Sequence, residues 1–303
     1  MKKNFVVDEN YINTRLDRWF KKKICDIPQS LFEKNIRKGN IRVNNKRTKS
    51  SYKLQKKDEI LVKNFTFVHN KNKKQITEYK ATKKEIRSSS SMFIENNSDF
   101  VVINKPPGIS VQSGTKSLRN VIDILKDTKE FYDSFPYPVH RIDKETSGIL
   151  IVAKNRKYAQ LFTSLFRIRK IHKTYIGVVI GTPTNKNGTF VDKLFYYEGK
   201  KKYDLIATTH YSVIDTNNNY SLLKLNPKTG RKHQLRKQLL LHGHPILGDT
   251  KYALYKKSYG QKKNLMLHAY KIHFSIAGKR YNFTAELPVV FKKVLKEKYL
   301  KIY

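Results

Sequence analysis

From Thr14 to Lys23 the apolar residues Leu16, Trp19, Phe20 and Ile24 recur at helical spacing, with Arg15, Arg18 and Lys21 to Lys23 on the remaining faces. This pattern predicts one amphipathic basic helix. After a break at Asp26-Ile27-Pro28, the pairs Leu31/Asn35 and Phe32/Ile36 predict a second helix, and Gly39 is placed to end it in a left-handed conformation. Ile41-Arg42-Val43-Asn44 alternates as a strand does, and Glu59-Ile60-Leu61-Val62 follows the turn Lys57-Asp58 as another. These elements close a compact unit near residue 63.

Residues 64–91 lose this periodicity. They carry seven Lys and Arg against two Glu and finish in Ser88 to Ser91, which reads as a linker. The alternative is that Phe65, Phe67 and Val68 add a strand to a neighbouring domain. Beyond Met92 the pattern changes to short strands with few helices: Phe100 to Ile103, Ile149 to Ala153, Tyr175 to Ile180, Leu222 to Leu225 and Leu265 to Phe274. Three parts are expected: a small domain at 1–63, a basic linker at 64–91, and an α+β domain with a large sheet at 92–303.

Charge changes the picture. The 303 residues carry 63 Lys and Arg against 24 Asp and Glu, a formal net charge of +39. A polyanionic partner, nucleic acid first, would suit such a surface, because neutralised phosphates release counterions. A Lys-rich coding bias would produce the same excess, and charge alone does not choose. The 39% apolar content, with 16 Phe and 19 Tyr, is enough to bury a core and excludes a disordered basic tail. Cys25 is the single cysteine, so neither a disulfide framework nor a Cys-based zinc site can form within the chain, and a reducing cytoplasm fits. No apolar run approaches the ~18 residues of a membrane helix, and the start turns acidic before a signal-peptide core develops. A cytoplasmic location without membrane partners is expected.

The segment Pro138 to Gly148, followed by the apolar strand Ile149 to Ala153, sets polar side chains on a loop held by a rigid element. Asp143 is the sole carboxylate between His140 and Lys144. An Asp acting as nucleophile or base in a closed site needs a nearby cation to stay ionised, which Arg141 or a distant arginine could supply. Capping the turn before Thr146-Ser147-Gly148 is the ordinary alternative. His242-Gly243-His244 lacks an accompanying Cys or acidic cluster, and the end of a helix explains it, so no metal is expected. Gly108 to Ser117 misses a phosphate loop by one residue, with Thr115 intruding before Lys116, and no Gly-x-Gly-x-x-Gly is present. No cofactor is expected.

The stretch "HRIDKETSGILIVAKN" resembles the signature of RluA-type RNA pseudouridine synthases: His-Arg-Leu-Asp, two variable residues, Thr-Ser-Gly and a hydrophobic strand, with Ile142 replacing Leu. "VVINKPPGISVQSG" is similar to the opening strand and turn of that family, "HKTYIGVVIG" to its Lys-x-Tyr strand, and "LMLHAYKIHF" to its Leu-x-Leu-His-Ala strand. In "KTGRKHQLRKQLLLHGHPILGD", Gly230, Arg231, His233, Gln234 and Arg236 line up with Gly-Arg-Thr-His-Gln-Ile-Arg, and Gly248-Asp249 with the segment's end. Lys232 stands for Thr, and Gln238 where His is usual. Upstream, "RLDRWF…SLFEKNIRKGNIRVNNKR…YKLQKKDEILV" resembles the small RNA-binding domain first seen in a ribosomal small-subunit protein.

The resemblance implies an α+β pseudouridine synthase fold, a small helix-helix-strand RNA-binding domain joined to a catalytic domain with a large mixed, mainly antiparallel sheet. It implies Asp143 as the catalytic residue, Arg141 filling the stack vacated by a flipped base, Tyr175 packing against that base, Arg236 as the salt-bridge partner of Asp143, and Leu267 as an apolar wall. The reaction so implied isomerises uridine to pseudouridine by base flipping, without metal or other cofactor; covalent attack and sugar-proton abstraction both stay open. Arg15, Arg18, Arg37, Lys38, Arg42 and Lys46 of the small domain are the expected phosphate contacts. The small domain leans the resemblance towards members acting on 23S ribosomal RNA or a ribosome-assembly intermediate, as a monomer and not on DNA. Transfer RNA as substrate, or a noncatalytic RNA-binding assembly factor, are the alternatives.

Overall fold

The computed structural model describes residues 2–64, 79–113, 118–198, 201–252 and 264–302. The chain divides into two compact units, Met1–Ile76 and Thr77–Tyr303. The possible strand at Phe65 to Val68, the linker between 65 and 78, and Gly114 to Ser117 of the near-miss phosphate loop lie outside the described residues. Among the described residues no helix is long and apolar enough to cross a membrane.

In the first unit β1 (Lys2–Val6) precedes α1 (Leu16–Lys23), α2 (Gln29–Arg37), β2 (Ile41–Val43) and β3 (Glu59–Lys63). Three antiparallel strands run in the order β1-β3-β2. Leu16, Trp19 and Phe20 of α1 are buried, and Phe20 meets Phe32 of α2 with ring centroids 5.0 Å apart. Lys21 to Lys23 fill the last turn of α1, where cations complement the helix dipole. Helix α2 ends where Gly39 takes φ +70°, with Gly39 N–H donating to Ile36 and Asn40 N–H to Asn35, the Schellman pattern.

The second unit opens with α3 (Lys83–Ser89), inside the stretch that reads as linker. That stretch is therefore folded at its C-terminal end. Thr82 and Glu85 form a reciprocal capping box, and Glu85 also accepts from Tyr79 Oη at 2.5 Å and from Arg119 Nε at 2.5 Å. Then come β4 (Phe93–Asn96), β5 (Phe100–Lys105), α4 (Val121–Lys126), β6 (Tyr137–Pro138), β7 (Ser147–Ala153), α5 (Arg156–Arg167) and β8 (His172–Ile180). A long hairpin of β9 (Asn187–Glu198) and β10 (Lys201–Thr216) leads to β11 (Tyr220–Pro227), α6 (Gln234–Leu241), β12 (Leu267–Ile276), β13 (Lys279–Thr284) and α7 (Val289–Glu297).

The strands form one sheet in the order β4-β5-β7-β12-β8-β11-β10-β9, with β13 beside β12 and β6 beside β7. Among the described strands only β7 and β12 pair in parallel, so the sheet is mixed and mainly antiparallel, an α+β fold. Every residue of β7 is buried because both its faces are covered. Leu150 and Val152 pack with Val121, Ile124 and Leu125 around α4, while Ile149 and Ile151 pack with Phe162 of α5. A third cluster joins Val178, Leu222 and Leu225 of the central strands to Leu235 and Leu239 of α6 and Phe291 of α7. Gly148, at φ +106°, lets β7 approach β12: a Cβ there would lie 2.3 Å from the Ala269 carbonyl oxygen.

Candidate active site

The loop between His140 and Thr146 is bolted at three points. The His140 imidazole Nε2 accepts from the Ile151 N–H of β7 at 2.9 Å, and its ring packs 4.6 Å from Phe166. Thr146 N–H donates to the Asp143 carbonyl at 3.1 Å, closing the turn. Lys105, fully buried at the end of β5, donates to the carbonyls of Pro106 (2.8 Å), Ile109 (3.0 Å) and Lys144 (3.1 Å). Burial pushes the Lys105 ammonium down to about 7, while Glu145 and Asp143 hold it up. Behind the loop, Ser147 Oγ and His268 Nδ1 lie 2.8 Å apart in the core.

Across from this loop, the turn before α6 and the first turn of that helix present His233 and Arg236. Gln234 knits it by accepting from Thr229 Oγ1 (2.7 Å) and Arg231 N–H (3.0 Å) and donating to the Thr208 carbonyl (3.1 Å). His233 takes the left-handed conformation at φ +54° as N-cap of α6, which turns its Nε2 to 3.7 Å from Asp143 Oδ1. Arg236, one turn into α6, puts Nη1 3.4 Å from Asp143 Oδ2 while Nε and Nη2 each donate to Asp249 at 2.7 Å. Tyr252 braces both: its hydroxyl is 2.8 Å from His233 Nδ1, and its ring lies 5.1 Å from the Arg236 guanidinium carbon.

His140, Asp143, Thr146, His233, Gln234 and Arg236 line a cleft of about 930 Å³ that also takes in Arg141, Tyr175, Leu267 and Arg231. Asp143 is partly buried, with the Arg236 guanidinium on one carboxylate oxygen and the His233 imidazole facing the other. Burial pushes the Tyr175 phenol up, with the Asp143 charge adding to it, so Tyr175 is a neutral flat wall. Burial pulls His233 down and Asp143 partly restores it. Thr146 Oγ1, buried in the same lining, has no hydrogen-bond partner among the described residues.

Residues 99–241 match the model of the RNA pseudouridylate synthase family. A ribosomal large subunit pseudouridine synthase C of Buchnera aphidicola subsp. Baizongia pistaciae is 32% identical over 96% of this chain and 95% of its own. The chain belongs to the RNA pseudouridylate synthase family. A Rickettsia bellii protein of the same description is 33% identical to the synthase over 93% of this chain and 97% of that one. Among solved structures, human RNA pseudouridylate synthase domain containing 4 superposes with a TM-score of 0.62 at 26% identity, covering 72% of the synthase and 96% of that chain. Human RNA pseudouridylate synthase domain containing 1 shares the fold at a TM-score of 0.55 and 21% identity, over 65% and 83% of the two chains.

The synthase thus brings Asp143, Arg141, Tyr175, Arg236 and Leu267 to one cleft. Arg236 is bound more closely by Asp249 than by Asp143, because Asp249 lies buried directly beside the guanidinium. Gln238 does not face the cleft. It is fully buried, accepts from Thr209 Oγ1 at 2.7 Å and donates to Asp192 at 2.7 Å and to the Ala207 carbonyl at 3.1 Å, so it ties α6 to the long hairpin. Tyr252, Lys105 and Asp249 carry no role in the motif reading, though Lys105 and Asp249 stand within the matched stretches. In the small unit Arg18, Arg37, Lys38 and Lys46 are exposed. Arg15 is instead engaged by Asp17, with Nη2 at 2.5 Å, and Arg42 folds over its own turn to the Gly39 and Asn45 carbonyls at 3.2 and 3.3 Å.

Proposed function

We propose that this synthase isomerises specific uridines of 23S ribosomal RNA, with Asp143 as the catalytic residue acting on an extruded nucleotide. The observation that carries the reading is the position of Asp143, in a cleft between Arg236 and His233 with the Tyr175 ring lining the same wall. The C1′–N1 bond of the nucleotide breaks, the uracil turns, and a C1′–C5 bond forms while the C5 proton passes to solvent and N1 regains one. Arg236 sets its guanidinium against the Asp143 carboxylate, Tyr175 and Leu267 flank the base, and Arg141, which has no polar partner among the described residues, is free to enter the vacated stack. The large-subunit substrate is supported by the descriptions of the relatives that align along nearly the whole chain. The small N-terminal unit adds phosphate contacts, and the protein acts as a monomer in the cytoplasm.

The test is pseudouridine mapping of unmodified large-subunit ribosomal RNA incubated with wild type and with Asp143→Asn. New sites with wild type alone are expected. Sites on transfer RNA instead would keep the reaction and discard this substrate, and silence on both RNAs would favour an assembly factor.

A further inference from the structure

The cleft is larger than the reaction needs. Its volume of about 930 Å³ is near the top of the ~300–1,000 Å³ range of pockets that enclose drug-sized ligands, and a single extruded uridine is smaller than most of those. Part of its lining takes no role in the chemistry at Asp143. There the imidazoles of His172 and His273 stack with centroids 4.4 Å apart and an interplanar angle of 11°. They face each other across β8 and β12, and His172 precedes Tyr175 by three residues on β8, about 10 Å along the strand. Both rings are exposed, and Arg167, Arg169 and Lys228 also line this cleft.

Exposed flat rings edged by cations are what an unpaired nucleotide binds: the base stacks, and its phosphate meets the charge. Partial desolvation of its ring, then His273, Lys228 and Lys170, hold His172 below the usual imidazole range. That favours the neutral form of the His172 ring as a stacking surface. We propose that the His172–His273 stack is a second nucleotide subsite, which receives the base of a nucleotide flanking the target uridine and sets its phosphate against Arg167, Arg169 and Lys228. The subsite rests on the reading of this cleft as the place where RNA is modified.

An abasic cycle tests it. The RNA segment around a mapped uridine is prepared intact and with each flanking nucleotide in turn made abasic, and the affinity of each is measured for wild type and for His172→Ala/His273→Ala. One abasic position is expected to weaken wild type about tenfold, the double variant to bind intact RNA about tenfold more weakly, and the two losses not to add. A His172→Phe/His273→Phe variant, which keeps two rings, is expected to bind intact RNA as wild type does. Losses that multiply, or no loss at any flanking position, overturn the subsite. Pseudouridine formation by wild type on the intact segment is read in parallel: turnover without coupling removes the subsite alone, and absence of both removes the reading of the cleft with it.

Discussion

Arg236 is shared unequally between two carboxylates, with Nε and Nη2 each 2.7 Å from Asp249 and Nη1 3.4 Å from Asp143. The Asp249 side chain is fully buried. Burial pushes its carboxyl up, but the Arg236 hydrogen bonds and the N–H groups of Tyr252 and Lys251 outweigh this and leave it below its usual range. Asp249 is thus a permanent anion that fixes the guanidinium in the plane from which it addresses Asp143.

Asp249→Asn keeps the shape and removes the charge, leaving a buried arginine with half its compensation. Breaking one side of a buried pair costs about 3–5 kcal/mol, so the urea midpoint should fall by a corresponding amount. In the fraction that folds, kcat should drop by about tenfold or more with KM for RNA little changed, since Arg236 does not itself supply most of the phosphate affinity. Wild-type stability and kcat in this variant would mean that Asp143 does not depend on the Asp249 anchor.

Acid should unfold the second unit through two histidines. His268 lies buried between Ser147 and the Ala285 carbonyl, and burial lowers it to about 4, the carbonyl partly opposing. His140 is lowered to about 3 by burial and by Lys173. A histidine whose folded pKa is below its unfolded value binds fewer protons when folded, so stability is full above about 6.5 and is lost as pH falls towards the folded pKa. For His268 alone the loss is about 3 kcal/mol between pH 6.5 and 4. Urea unfolding of wild type and His268→Gln at pH 7, 5.5 and 4 measures it: the variant should start lower and show the shallower decline. Parallel pH profiles would assign acid sensitivity elsewhere.

What the chain discloses by itself depends on whether the relevant residues are contiguous. Asp143 and its loop were legible because His140 to Gly148 lie together, and α6 because Gly230 to Arg236 do. The capping box at Thr82 and Glu85, and the spacing of Tyr158, Leu161, Phe162, Leu165 and Phe166 in α5, are local signals too, but the surrounding Lys, Arg and Ser residues mask them. Lys105 looks like any surface lysine until its burial is known. The His172–His273 stack depends on strand register, which is shifted by an irregularity between Ala269 and Lys271, and a single chain does not display register.

In the small unit, charge and availability separate. Replacing Arg18, Arg37, Lys38 and Lys46 together by Gln should reduce the slope of log affinity against log salt by about 3, at ~0.7–0.9 per phosphate contact. Arg15→Gln and Arg42→Gln should change it much less, since Asp17 and the Gly39–Asn45 turn already hold those guanidiniums. Filter binding to 23S RNA between about 50 and 200 mM salt gives the slopes, since log affinity falls linearly with log salt. An unchanged slope in the fourfold variant would remove this unit from the phosphate contacts.

Lys105 offers a test of how far the loop's rigidity serves the reaction. Its ammonium uses all three N–H groups on three carbonyls, one of them that of Lys144, the residue following Asp143. Lys105→Met fills the space but strands those carbonyls, although Lys144 keeps the Gly108 N–H at 2.9 Å. Each lost buried partner costs about 1–3 kcal/mol, so a fall in stability is expected, with kcat reduced more than affinity because the loop that moves carries Asp143. With burial lowering the ammonium to about 7, a proton is lost as pH rises through that value, and one carbonyl then loses its donor. Wild-type kcat should therefore decline on the alkaline side of about pH 7, and the decline should be absent from the residual activity of Lys105→Met. A common alkaline limb in both proteins would assign that titration to another group and leave Lys105 a purely structural post.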